Sequence, residues 1–156
     1  MRAMLDLSLA CLHHLLIFGV FGSLLSEFLL LKPGVDAAGL KTITRIDQMY
    51  GIAAGLIIGV GFCRAIFAAK GWTYYSHNAF FWAKIGTFAA IGLLSIGPTL
   101  ALIRWRRSGA VPDESAIRSV RQFLHIELAL FVLLPLFAAA MARGLGEFSY
   151  AAGRGG

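Results

Sequence analysis

Four long apolar runs, each with ionisable residues in or beside it, limit this chain more than any other feature. The runs cover roughly residues 5–31, 47–68, 78–103 and 120–142. Crossing a hydrocarbon core of about 30 Å takes about 20 apolar residues in a helix, and every run reaches that length. Barrel strands would alternate apolar and polar residues, which these runs do not. The expected class is therefore all-α, an integral membrane four-helix bundle of up-down-up-down plan, as one domain over residues 1–156. A composition 58% hydrophobic and 14% charged agrees with it. The first run is too long for a signal-peptide core and carries His13, His14 and Glu27, so it reads as a retained helix. Cys11 and Cys63 lie in apolar runs without metal-type spacing and read as packing residues.

The net charge of +6 bears on topology rather than on nucleic acid, for which no partner role is expected. Lys32, Lys41 and Arg45 follow the first run, and Arg104, Arg106, Arg107, Arg118 and Arg121 follow the third. The other side holds Arg2, Arg64, Lys70, Arg143 and Arg154. Basic loops stay in the cytoplasm, so a bacterial inner-membrane protein with both termini periplasmic is expected. Trp72, Tyr74 and Tyr75, with Phe80, Phe81 and Trp82, form an aromatic belt at the outer interface. Pro112-Asp113-Glu114 is a helix-start signal, and a helix start is also expected at Asp47. Gly51, Gly55 and Gly59, and a small stripe at Gly19, Gly22, Ser23 and Ser26, are expected to let helix backbones approach. They also allow a homo-oligomer.

The ionisable residues fall into two layers when depth is counted at about 1.5 Å per residue. His13, His14, Arg64, His77 and Lys84 share the outer half. His77, Lys84 and Ser95 return to nearly one helical face. Glu27, Arg121 and His125 form an inner charge layer, with Glu27–Arg121 or Asp47–Arg121 pairing expected to neutralise it. Glu127 lies about 200° round the helix from His125, so the two face different partners.

The outer layer has cations and imidazoles but no carboxylate of its own, and buried cations want an anion. Heme b meets both needs: an imidazole binds iron and Arg or Lys holds propionates. Snorkelling of Arg64 and Lys84 to the headgroups is the structural alternative. Leu12-His13, followed nine residues later by Gly22, and Phe80-Phe81-Trp82-Ala83-Lys84 resemble a superfamily of small bacterial membrane proteins. It includes HemJ-type protoporphyrinogen oxidases and the CopD-type copper-resistance domain, and the chain looks most like an uncharacterised branch of it. The resemblance implies a heme-ligating role for His13, with His14 or His77 as alternative ligands on the residues alone, and an essential role for Lys84. Three functions stay open: a heme b redox protein acting with quinone or porphyrin as an oxidoreductase; a copper- or other metal-handling protein using the same histidines; and a non-catalytic membrane protein.

The distribution of Lys and Arg generates the first prediction. A reporter active only in the periplasm, fused at the C-terminus, is expected to be active. Activity of a cytoplasm-only reporter at that position would reverse the orientation.

Overall fold

The computed structural model describes residues 2–67 and 76–148. They form four long helices: α1 (Arg2–Leu30), α2 (Ala37–Phe67), α3 (Ala79–Ser108) and α4 (Glu114–Ala142). All four are long and apolar enough to cross a membrane. Helices α1 and α2 pack as one hairpin and α3 and α4 as another, with α2–α3 and α1–α4 contacts closing the ring.

Lipid inverts the usual rule of burial, because apolar side chains are as well solvated outside the bundle as inside it. Leu15, Phe18, Ile52, Leu56, Leu93, Leu100, Val132 and Leu136 are accordingly exposed. Each interior seam repeats at three- and four-residue steps. On α1 it runs Val20, Leu24, Glu27 and Leu31, and on α4 Ile117, Val120, Leu124, Glu127, Phe131 and Leu134. Such spacing keeps one stripe facing the neighbouring helices. Glu27 and Glu127 therefore occupy positions where the helices otherwise place leucine or valine.

At the loop end of the bundle α2, α3 and α4 outrun their apolar runs. Helix α2 starts at Ala37, not at Asp47. Asp36 opens it, its carboxylate accepting from Gly39 N at 2.7 Å. Helix α3 continues past residue 103 to Ser108 and stops at Gly109, whose φ of 65° suits glycine and whose N–H bonds Trp105 O. Asp113 caps α4, accepting from Ala116 N at 2.9 Å, so the Pro112-Asp113-Glu114 signal marks the true start. Hydropathy reports the stretch in hydrocarbon, whereas caps decide where the helix ends.

The glycine expectation is corrected. Gly51, Gly55 and Gly59 are exposed, and a Cβ at any of them would meet nothing within 4 Å. The same open space surrounds Gly19 and Gly22. The interior stripe of α2 follows Leu40, Ile43, Asp47, Tyr50 and Ile57, and the glycines centre roughly 100° round the helix from it. Cys11 and Cys63 are likewise exposed and unpaired rather than packed inside. Trp72, Tyr74 and Tyr75 lie outside the described residues.

The segment after α4 folds back over the start of α3. Ala79 N donates to Gly146 O at 2.8 Å and Phe148 N to His77 O at 2.9 Å. Asn78, fully buried, joins the two: its side chain accepts from Phe80 N at 2.9 Å and donates to Leu145 O at 3.0 Å. Asn78→Ala removes a helix cap and leaves a buried carbonyl unmatched. A loss of about 1–2 kcal/mol is expected in denaturant unfolding from micelles. Unchanged stability would mean that this tie does not hold α3 to α4.

Candidate functional site

Two polar clusters occupy the interior, one at each end of the bundle. The first lies toward the chain termini. His13 of α1 is 8% exposed, and no group among the described residues hydrogen-bonds its Nδ1. Lys84 of α3 and Arg64 of α2 are its electrostatic neighbours. Arg64 Nε is buried without a hydrogen-bond partner, and among the described residues no carboxylate pairs with either cation. Gly61 of α2 faces the imidazole: a Cβ there would lie 3.6 Å from His13 Cε1.

His14, one residue on, turns away as helical geometry requires. It is exposed and its Nδ1 lies 2.7 Å from Ala10 O. His77 is exposed in the turn before α3 rather than on that helix, with its Nδ1 3.2 Å from Ser76 Oγ. Of the outer residues expected to act together, the interior thus gathers His13, Arg64 and Lys84. His14 and His77 point elsewhere. Two surface hollows, of about 330 and 510 Å³, lie at the opposite end of the bundle and touch none of the three.

The second cluster lies toward the loops joining α1 to α2 and α3 to α4. Glu27 of α1, Asp47 of α2 and Glu127 of α4 are 1%, 4% and 0% exposed. Glu27 has Asp47 and Glu127 as its electrostatic neighbours. Thr99 of α3 donates to Asp47 Oδ1 at 2.6 Å, and the Tyr50 hydroxyl lies 3.4 Å from Glu127 Oε2. One oxygen of Glu27 and one of Glu127 have no hydrogen-bond partner among the described residues.

The expected ion pairs do not form there. Arg121 donates instead to the backbone carbonyls of Phe28 and Leu31 and lies over the Phe28 ring, 4.3 Å from its centroid. The physical reason is the end of α1: its last carbonyls lack intrahelical partners and carry the negative end of the helix dipole. Arg121 satisfies them from α4. Its neighbour His125 is exposed, with its ring 5.9 Å from that of Phe28, while Glu127 points inward, as their angular separation requires. Among the described residues the ion pair found is Arg118–Glu114, an exposed one at 3.3 Å. No group of three His, Cys, Asp or Glu arranged to hold a metal ion occurs among them.

Sequence reasoning missed Tyr50 and Thr99 and took Asp47 for a helix start. The available signal was the α2 stripe, in which Asp47 and Tyr50 follow Ile43 at helical spacing.

An all-helical bundle with four apolar spans and buried ionisable groups is an integral membrane protein of multi-pass type. The chain belongs to a family described as predicted membrane protein (DUF2214), whose model matches residues 5–146. No curated protein and no solved structure matches it.

Because Arg121 serves carbonyls and not Glu27, their substitutions act separately. Glu27→Gln and Arg121→Gln should change unfolding free energy additively, within about 0.5 kcal/mol. Arg121→Gln alone should be the more destabilising of the two. A coupling well above that margin in a double-mutant cycle would restore the direct pair.

Proposed function

We propose that this protein is a redox protein of the bacterial inner membrane that binds heme b, with His13 as the iron ligand. One observation carries this reading: an interior imidazole with an unbonded Nδ1 stands beside two cations that have no carboxylate partner among the described residues. The donor set fits the group. His13 offers a nitrogen to iron, and Arg64 and Lys84 offer positive charge to two propionates. Gly61 keeps the flank of the imidazole free of a side chain.

Heme b supplies one-electron chemistry when bound. The chain's own residues do the rest. The helical seam keeps His13 out of water and orients its ring. Lys84, half-buried beside His13 and Arg64, holds an anionic group of heme or of a substrate such as a porphyrin carboxylate. Lys84 is the residue assigned to catalysis, and quinone is the alternative electron partner. The exposed glycine faces of α1 and α2 are smooth enough for a second copy to pack there in lipid.

Copper handling is the second metal reading. It is less favoured because His13 is the one imidazole among the described residues that turns into the interior. A purely structural role for His13, Arg64 and Lys84 is the third.

The visible spectrum of the purified protein tests the proposal. A Soret band is expected. His13→Ala should lose or shift it, and Lys84→Ala should keep heme but lose redox activity. His14→Ala should leave the spectrum unchanged, since that ring faces outward. An intact His13→Ala protein with the wild-type spectrum would refute the ligand assignment. If wild-type protein made in heme-replete cells carries none, metal analysis decides between the copper and the structural readings.

A further inference from the structure

The carboxyl cluster at the loop end takes no part in the heme reading. Its chemistry follows from what surrounds it. Glu27 comes from α1, Asp47 and Tyr50 from α2, Thr99 from α3 and Glu127 from α4, so every helix contributes. Ser95 of α3 lies beside the Tyr50 hydroxyl. Arg121 is the cation near this level of the bundle, and it is committed to the carbonyls ending α1. His125 faces outward. Among the described residues, no cation makes an ion pair with any of the three carboxyls.

Carboxylates buried without cations cannot all be ionised, because each charge loses its hydration and repels the others. Protons are the counter-ions that fit without new ligands. The partners present are the right kind. Hydroxyls donate to a carboxylate and accept from a carboxylic acid, so Tyr50 and Thr99 serve either state. The unpartnered oxygens belong to Glu27 and Glu127, which are 1% and 0% exposed and point into the cluster. Replacing such groups by apolar ones of similar volume is often stabilising, so packing alone gives no reason for three of them.

A surface hollow opens at the loop end, separated from the cluster by the buried residues Leu40, Ile43 and Thr44. The hollow of about 330 Å³ is lined by Ala37, Leu40, Lys41, Trp105, Arg106 and Gly109. Asp47 lies seven residues along α2 from Leu40, about two helical turns. Thr44, whose hydroxyl bonds Leu40 O at 2.7 Å, lies between them.

We propose that Glu27, Asp47 and Glu127 form a proton-exchange site within the membrane, loaded and unloaded from the loop end of the bundle. A proton arriving from water converts one carboxylate to a carboxylic acid, and its departure restores the carboxylate. The site stands whether or not heme binds at His13.

Dicyclohexylcarbodiimide is the probe, since it enters apolar sites and adds to protonated carboxyl groups. Full-length wild-type protein in lipid nanodiscs is treated across a pH series, and the modified residues are mapped by mass spectrometry. Labelling of at least one of the three is expected near neutral pH, well above that of exposed Glu114. It should fall several-fold in alkaline buffer. Glu127→Gln should shift the pH dependence of labelling at Glu27, because the two share the cluster. Labelling no stronger than that of Glu114 at every pH would overturn the proposal. So would strong labelling that never declines, which describes a permanently neutral group. Should Glu127→Gln fail to fold, the wild-type series alone decides.

Discussion

Buried charge in this bundle is separated by sign, and the rest of its chemistry depends on that separation. Cations and an imidazole gather toward the termini, and carboxyls gather toward the loops. His13 and Glu27 are fourteen residues apart on α1, about 21 Å along the axis. Arg64 and Asp47 are seventeen apart on α2, about 26 Å. Salt screening does not reach into hydrocarbon, but at such distances neither layer relieves the desolvation cost of the other by direct pairing. Each layer must find its counter-ions elsewhere. On the proposed readings, the cations find theirs in an anionic ligand and the carboxyls in the proton.

Arg121, the arginine expected to neutralise the carboxyl layer, is used for another task. Arg121 spans from α4 to the end of α1 and meets carbonyls that no helix turn can satisfy. In hydrocarbon an unmet backbone carbonyl is expensive, so a strong, charge-assisted donor is well spent there. The neighbouring Phe28 ring adds a cation–π contact on the same guanidinium. Holding α1 to α4 in this way leaves Glu27 without a cation.

The fold was largely legible in the sequence because lipid imposes a simple rule: long apolar runs become helices. The two ends of α2 and α3 were less so, since Asp36 and Gly109 cap turns that lie in water, where hydropathy carries no signal. The glycine run on α2 misled for a different reason. Small residues permit close approach on whichever face they share, and only the phase against Asp47, Tyr50 and Ile57 reveals that this face looks outward. Sequence also left His13 and His14 as alternatives. Their order relative to Val20, Leu24 and Glu27 decides it: His13 is seven residues from Val20 and shares its seam, whereas His14 does not. The partner of Arg121 was not legible, because it is main chain and carries no residue label.

Selection between a structural and a chemical role for the interior groups turns on energy. A leucine at position 27 or 127 would continue the seams of α1 and α4 and remove two desolvation costs of at least a few kcal/mol each on insertion scales. A bundle built only to pack would be more stable with those leucines. Carboxyls there, with hydroxyl partners that accept or donate, suit the proposed proton exchange, because the same partners serve either charge state. The opposite end sets the side chains of Arg64 and Lys84 beside the imidazole of His13. On the proposed readings, an electron at that end and a proton at the carboxyls would each be stabilised by its own layer. The two events need no contact between the layers, only the same four helices to hold both in place.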